Sequence, residues 1–165
     1  MKISRYNGEY EKEMLKLIGD FFDFHSGLIN EEIVSATSEE SLEVLVEWQL
    51  DNNELYVVCE DNKIVGFLRL NYRGPIVAWI EDIYIVPHYR NKGIGTTVIA
   101  AAEDIVKSRV GYEAICIDVV LRNAKAVSLY HQLGFIDISL ITLRKEFGKS
   151  NRDRKLELFD REFHF

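Results

Sequence analysis

The sequence predicts one α/β domain spanning residues 1–165, with a mixed, mostly antiparallel central sheet covered by helices on both faces. Three observations support this fold class. The 165 residues are 47% hydrophobic, which suits a single compact domain with a real core. Apolar residues recur three and four apart near the N-terminus and then alternate as in strands. Further on, helical stretches separate strands, so hairpins and helix crossovers both occur.

The N-terminal half is predicted to begin with a strand, continue with two helices and then change to strands. In the first helix, Met14, Leu17 and Ile18 follow helical spacing. Ser38, followed by two glutamates, is expected to open the second helix, and Asp61-Asn62 is typical of a hairpin turn. The predicted elements are a strand at Lys2–Tyr6, a helix at Tyr10–Phe22, an irregular stretch at Asp23–Thr37, a helix from Ser38 to Leu50, and strands at Leu55–Glu60 and Lys63–Tyr72.

The C-terminal half is predicted to alternate strands and helices. Asn123 is expected to cap the last helix, and Gly134 is expected to stop it. The β-branched run Ala114–Leu121 is typical of a strand buried on both faces. The predicted elements are a strand at Ile76–Val86, a helix from Gly93 to Arg109, the strand Ala114–Leu121, a helix at Ala124–Leu133, and strands at Phe135–Arg144 and Leu156–His164 joined by the polar stretch Gly148–Lys155.

The formal charge of −7 is concentrated near the N-terminus. Residues 1–60 hold 4 basic and 14 acidic side chains, whereas residues 61–143 hold 9 and 8. This balance argues against binding to nucleic acid or to an anionic membrane, since both need unopposed cations. The stretch from Glu31 to Glu54, with eight acids and no Lys or Arg, is either a solvated helix face or an electrostatic feature of a binding site.

The sequence contains no sign of export or of a metal. The first residues lack the apolar core of a secretion signal, and no stretch approaches the length of a membrane span. Cys59 and Cys116 lie too far apart for a disulfide framework, and no two histidines have metal-ligand spacing. We therefore expect a cytoplasmic protein without a metal.

The most informative local pattern is a glycine loop between a strand and a helix. It reads Arg90-Asn91-Lys92-Gly93-Ile94-Gly95-Thr96. A helix N-terminus has free backbone N–H groups that bind phosphates, and glycines let a pyrophosphate approach them closely. The spacing matches neither a P-loop nor the dinucleotide fingerprint. A tight strand–helix turn that binds nothing is the alternative interpretation.

Two motifs in this region resemble those of the Gcn5-related N-acetyltransferase (GNAT) superfamily. Ile83-Tyr84-Ile85-Val86-Pro87 followed by the glycine loop resembles its acetyl-CoA signature, R/Q-x-x-G-x-G/A. Asn123 to Tyr130, followed by Leu133-Gly134-Phe135, is similar to N-x-x-A-x-x-x-Y-x-x-x-G-F. The resemblance covers residues 64–135 and is loose before residue 60. It implies the GNAT fold, with acetyl-CoA as the acyl donor.

The resemblance also implies how acetyl-CoA is bound. The loop from Arg90 to Thr96 is expected to bind the pyrophosphate. Ile83, Tyr84 and Ile85 are expected to pair with the pantetheine arm where two strands splay apart, and the Ile85 N–H is expected to stabilise the oxyanion. Asn123 matches a position that contacts this arm, although helix capping explains it equally well.

Tyr130 matches the family's general acid. A phenol can hydrogen-bond to the leaving thiolate and donate its proton. Asn123 and Tyr130 are seven residues apart, so both lie on one helix face and can point to the same cleft. A core aromatic is the alternative role for Tyr130.

Glu81-Asp82 resembles the acidic pair of the diamine and polyamine acetyltransferase branch. A primary amine attacks only after losing a proton, so a nearby acceptor is needed. We expect Glu81 to be the base or to position a water, and Asp82 to bind the acceptor, although their roles could be exchanged. Strand alternation places the two on opposite faces unless a bulge intervenes. A carboxylate that only pairs with an arginine is the alternative for Glu81.

Phe22, Asp23 and His25 close the first predicted helix, where this superfamily builds part of its acceptor pocket. The resemblance therefore implies that they line that pocket, and a core aromatic run is the alternative.

The sequence thus predicts an acetyl-CoA-dependent N-acetyltransferase whose acceptor, a primary amine, attacks directly in a ternary complex. The acidic N-terminal part favours a small cationic amine such as a polyamine or an aminoglycoside. The alternatives are a protein, peptide or amino-acid acetyltransferase, and a non-catalytic acyl-CoA-binding module. The resemblance also allows a homodimer.

Overall fold

The computed structural model describes residues 1–29, 35–148 and 152–165. Its helices and strands, in chain order, are β1 (Lys2–Arg5), α1 (Glu11–Leu28), α2 (Ser38–Glu47), β2 (Asn53–Glu60), β3 (Lys63–Asn71), β4 (Val77–Ile85), α3 (Ile94–Lys107), β5 (Ala114–Ile117), α4 (Ala124–Gln132), β6 (Lys155–Leu158) and β7 (Arg161–His164). A five-stranded sheet has the order β1-β2-β3-β4-β5, and β6 and β7 form a separate hairpin. β1 to β4 pair antiparallel, and β5 is parallel to β4.

Helices cover both faces of this sheet. On one face, Met14 of α1 and Leu45 of α2 pack with Phe67 of β3 in one buried cluster. On the other face, Ile99 of α3 belongs to a second buried cluster with Leu68 of β3. Adjacent strand residues point to opposite faces, which is why Phe67 and Leu68 enter different clusters. The predicted fold class is confirmed.

Two helix ends differ from the prediction by more than two residues: α1 ends at Leu28 rather than Phe22, and α2 ends at Glu47 rather than Leu50. α1 continues to Leu28 because its apolar stripe does, with Phe24 packed against the α1–α2 core. The predicted irregular stretch therefore begins as helix, and its residues 30–34 lie outside the described part of the chain. α2 begins at Ser38, as predicted, and Thr37 is its N-cap: the Thr37 side chain accepts from the Glu40 N–H, and the Glu40 carboxylate accepts from the Thr37 N–H.

The strand predictions after residue 117 are partly wrong. β5 ends at Ile117 instead of Leu121, and its residues are exposed or half-buried rather than buried on both faces. The stretch Phe135–Arg144 is not a strand despite its alternating pattern, and its apolar residues Ile138, Leu140 and Leu143 are exposed. The pattern specifies a strand only where another element buries one face.

The last predicted strand is a hairpin. Phe159 and Asp160 both have positive φ, 52° and 56°, and form the two-residue turn between β6 and β7. This turn contains neither Asn nor Gly, so its residues do not indicate a hairpin. The predicted connection Gly148–Lys155 lies partly outside the described residues, at 149–151.

Candidate active site

β4 and β5 separate along their length and open a cleft. They pair only from Val77–Ala114 to Ile80–Ile117, although β4 continues to Ile85. The cleft has a volume of 310 Å³ and receives side chains from α1, β4, α4 and the segment after β5. The lining residues are Phe21, Phe24, His25, Leu28, Ile80, Glu81, Asp82, Ile83, Ile117, Asp118, Val119, Val120, Asn123 and Tyr130. Six of the predicted site residues, from three separate segments, therefore line one cleft.

A β-bulge places both acidic residues of β4 in this cleft. Arg69 pairs with Asp82 and Leu70 pairs with Ile80, so Glu81 is the extra residue. Without the bulge, alternation would send Glu81 and Asp82 to opposite faces of the sheet. The sequence left open whether a bulge interrupts the alternation at Glu81 and Asp82. The structure contains this bulge, and both carboxylates line the cleft.

Asp82 is mostly buried and paired with an arginine. Nε and Nη2 of Arg69 both lie 2.6 Å from Asp82 Oδ2. Burial raises the pKa of Asp82, and the charge and hydrogen bonding of Arg69, with a smaller electrostatic contribution from His25, oppose this shift without cancelling it. A carboxyl whose pKa is raised in this way accepts a proton more readily than a solvated one.

Glu81 pairs with a more exposed arginine. Its Oε1 lies 3.1 Å from Nη1 of Arg73, whose side chain is 49% exposed and also stacks on the ring of Trp79. Nη2 of Arg73 is 4.0 Å from Asp118 Oδ2, so one guanidinium lies between two carboxylates of the cleft. The arginine pairing foreseen as the alternative for Glu81 is thus present, and it leaves the catalytic role untested.

Tyr130 lies at the cleft from the α4 side. Burial raises the pKa of its hydroxyl to about 12, so the phenol is protonated at neutral pH. The C-terminus of α4 fixes the ring: Gly134 has φ 95°, and the Phe135 N–H donates to the Tyr130 carbonyl at 3.1 Å. The rings of Tyr130 and Phe135 are 6.0 Å apart, which is the hydrophobic contact of a Schellman motif.

Asn123 has the capping role that the sequence predicted, and it also lines the cleft. Its Oδ1 accepts a hydrogen bond of 3.3 Å from the Ala126 N–H. This bond uses only the carbonyl oxygen of the amide, so the NH₂ group is available to a ligand.

The backbone of Ile85 is directed to the open side of β4. The Val86 N–H donates to Val65 on β3 at 2.9 Å, and successive N–H groups of a strand alternate in direction. The Ile85 N–H therefore points away from β3, and its carbonyl accepts a 2.6 Å hydrogen bond from Nε of Arg90. The Arg90 guanidinium lies 4.2 Å from the centre of the Phe24 ring. The Tyr84 side chain is buried in the α1–α2 core, so only its backbone can contact a ligand in the cleft.

The N-terminus of α3 has no side-chain cap. Gly93 is its N-cap residue with φ 78°, and the first N–H that is bonded within the helix is that of Thr97, to the Gly93 carbonyl. A Cβ at Gly95 would meet only Leu129 Cδ2, at 3.6 Å, so the fold itself tolerates alanine there. The loop residues Asn91, Lys92 and Thr96 are exposed, whereas Ile94 is buried. Free N–H groups without a capping side chain can bind an anion such as a pyrophosphate, so this loop fits coenzyme A.

The predicted acceptor residues separate into two groups. His25 lines the cleft, together with Phe21, Phe24 and Leu28, which the sequence did not single out. Phe22 and Asp23 are not among the lining residues: Phe22 packs at the edge of Phe21, and Asp23 accepts a hydrogen bond from Ser35. Helical spacing could have indicated Phe21, Phe24 and Leu28, which share one face of α1.

A second cavity of 430 Å³ lies between α4 and the β6–β7 hairpin, lined by apolar groups such as Val127, Leu156 and Phe165.

In the described ranges, no three His, Cys, Asp or Glu side chains are grouped so that they could hold a metal ion. No helix of the described residues is long and apolar enough to cross a membrane.

Comparison with known proteins identifies the family of this chain. The model of the Acetyltransferase (GNAT) family matches residues 20–135, which include both motifs and the cleft. The chain belongs to the GNAT family and is an N-acetyltransferase, as its sequence predicted. The polyamine branch is not distinguished by these comparisons.

Individual relatives are more distant. The chain is 29% identical over 107 residues to the uncharacterized N-acetyltransferase YhfO of Bacillus subtilis, covering 61% of this chain and 71% of YhfO. It is 29% identical over 94 residues to aminoglycoside N(6')-acetyltransferase type 1 of Klebsiella aerogenes, covering 53% of this chain and 61% of that enzyme.

The fold is shared with solved acetyltransferase structures. An aminoglycoside acetyltransferase from an uncultured soil metagenomic sample, solved with sisomicin, superimposes with a TM-score of 0.66. It is 19% identical, and the match covers 90% of this chain and 96% of that one.

Proposed function

We propose that this protein transfers the acetyl group of acetyl-CoA to a primary amine of a small cationic molecule, such as a polyamine or an aminoglycoside. The observation that carries the proposal is the convergence of Tyr130, Asp82 and Glu81 on one cleft, together with an uncapped N-terminus of α3 that adjoins α4, the helix of Tyr130, where Gly95 lies next to Leu129. A proton donor, a proton acceptor and an anion-binding helix end are the groups that aminolysis of a CoA thioester requires.

The residues would act in the following way. Acetyl-CoA supplies a thioester whose carbonyl carbon the amine attacks. The N–H groups of Ile94, Gly95 and Thr96 bind the pyrophosphate, and Ile83 to Ile85 hold the pantetheine arm with the Asn123 amide. The Ile85 N–H stabilises negative charge on the thioester oxygen. One carboxylate of β4 takes the proton of the amine, and Tyr130 protonates the sulfur.

Charge supports a cationic acceptor. Glu81, Asp82 and Asp118 line the cleft, and the two arginines paired with them, Arg69 and Arg73, leave one net negative charge among these five side chains. An acidic approach attracts an ammonium group and repels a second anion. Glu54, which also belongs to the acidic stretch, does not contribute, since it is buried and ion-paired with Arg5 and Arg109. Glu31 and Glu32 lie outside the described residues. The aminoglycoside acetyltransferase relative agrees with a cationic acceptor.

Thiol release measured across a panel of amines tests the proposal. Diamines, polyamines and aminoglycosides should be acetylated faster than neutral amino acids and acidic peptides, and their kcat/KM should fall as salt is added. Faster turnover of neutral or acidic amines, without salt dependence, would contradict a cationic acceptor. Binding of acetyl-CoA without turnover of any amine would favour a binding module. The cytoplasmic location and the homodimer stay predictions.

A further inference from the structure

Two arginines, four residues apart in the chain, each form an ion pair with one of the two acidic residues at the β4 bulge. Arg69 of β3 pairs with Asp82, and Arg73, just after β3, pairs with Glu81. The two carboxylates are similarly buried, Asp82 at 13% and Glu81 at 19% exposed, but their arginines differ: the Arg69 side chain is 17% exposed and the Arg73 side chain 49%. The pair in the drier environment has the stronger electrostatic coupling.

Arg69 is fixed from three directions. Its guanidinium lies 4.9 Å from the centre of the Trp48 ring at the end of α2, and its Nη1 donates to Asn53 Oδ1 at 3.0 Å. Asn53 Oδ1 also accepts from the Asn71 side chain at 2.9 Å. Arg69 and Asp82 are directly opposed across β3 and β4. These contacts of Arg69 therefore orient the Asp82 carboxylate from the β3 side.

We propose that Arg69 is a positioning residue for acetyl transfer, which keeps the buried Asp82 ionised at the cleft so that Asp82, rather than Glu81, takes the proton of the acceptor amine. This assignment rests on the proposed function and specifies its base. The charged or titratable groups around Asp82 are Arg69 of β3, His25 of α1 and, along the cleft wall, Glu81, Asp118 and Tyr130 of α4. Among them Arg69 is the permanent cation in direct contact with the carboxylate.

The proton balance of the step is complete. The acceptor ammonium gives one proton to Asp82, and the neutral nitrogen forms the bond to the acyl carbon. As the C–S bond breaks, Tyr130 gives its hydroxyl proton to the sulfur, and the second proton of the nitrogen returns to the Tyr130 oxygen through solvent. Asp82 then releases its proton to solvent, leaving the acetylated amine, coenzyme A and one free proton.

The first test is independent of activity. The titration of the Asp82 carboxyl is followed by carbon-13 NMR in the wild type, in Arg69→Met and in Arg69→Lys, with Asp82→Asn to assign the signal. Arg69→Met should raise the Asp82 pKa by about one pH unit or more, and Arg69→Lys should bring the pKa most of the way back to the wild-type value. Arg73→Met is the matched control and should leave the Asp82 titration unchanged. An unchanged titration in Arg69→Met would overturn the proposal.

The second test measures kcat and KM against pH for the same variants. In Arg69→Met the acidic limb of kcat/KM should move to higher pH by the same amount as the Asp82 titration. If the Asp82 pKa rises by about one pH unit, kcat/KM on that limb should fall by about tenfold. Arg69→Lys should recover most of that loss, and acetyl-CoA affinity should not change in either variant.

Two results of this second test would be contradictory, one to the assignment of Asp82 as the base and the other to the proposed function. Movement of the limb in Arg73→Met instead of Arg69→Met would assign the proton to Glu81 and overturn the proposal. Absence of turnover by the wild type across the amine panel would overturn the proposed function, whereas the NMR titration would still decide whether Arg69 holds Asp82 ionised.

Discussion

The two sides of the cleft are built from different chemical groups. On the α3 side, the groups proposed to bind coenzyme A are backbone N–H donors of Ile94 to Thr96 and of β4, and α3 begins without a capping side chain. On the acceptor side, they are charged side chains held in pairs, such as Arg69 with Asp82. The backbone side suits a ligand common to a whole family, since many sequences can form it. The side-chain side can change with the acceptor.

Tyr130→Phe tests the proposed proton donor, which lies where the two sides of the cleft meet. Loss of the proton donor should lower kcat by about 10²-fold or more, the ordinary contribution of general acid catalysis. Acetyl-CoA affinity, measured by calorimetry, should stay within about twofold, because the ring and its packing remain. Since the Tyr130 pKa is about 12, the wild type should keep this donor protonated to at least pH 10. An unchanged kcat would assign Tyr130 to the core alone.

Gly95→Ala tests whether backbone groups at the start of α3 bind acetyl-CoA, because it should change the affinity without lowering the stability of the fold. Alanine fits beside Leu129 and favours helix, so the melting temperature should stay equal or rise, while acetyl-CoA affinity should fall by roughly tenfold, about 1.4 kcal/mol. Gly111→Ala is the matched control: its φ of 92° is strained for alanine, so stability should fall and affinity should not. Equal affinities of Gly95→Ala and the wild type would argue against the pyrophosphate loop.

Much of the backbone side could be predicted from the sequence, because it depends on residues close together in the chain. The Gly93 turn, the Asn123 cap and the Gly134 stop are local features with known residue preferences. The Arg69–Asp82 pair could not be predicted, since it depends on the register of two strands and on a bulge at Glu81. The strand expected at Phe135–Arg144 failed for a related reason, because alternation does not say which surface will bury it.

Asn123→Ser tests a residue that serves both the fold and the ligand. Serine caps a helix about as well as asparagine, so the melting temperature should change little. Loss of the amide NH₂ should weaken acetyl-CoA binding by about threefold to tenfold, the effect of one neutral hydrogen bond. If affinity is unchanged, Asn123 acts as a cap only.

Thr37→Ala changes the start of α2, and no residue of α2 lines the cleft. It removes the capping box of α2 and should lower the free energy of unfolding by about 1 kcal/mol, measured by urea denaturation. The kcat and KM should not change under conditions where the variant stays folded. A loss of activity without a loss of stability would mean that the start of α2 contributes to the acceptor site directly.

We propose that coenzyme A binds where β4 and β5 separate. A nitrogen-15 NMR titration of the amide groups with coenzyme A tests it most directly. We predict that the largest shifts occur at Ile83–Ile85 and Ile94–Thr96, with smaller shifts at Asn123. Shifts confined to residues around the cavity between α4 and the β6–β7 hairpin, such as Val127 and Leu156, would contradict it.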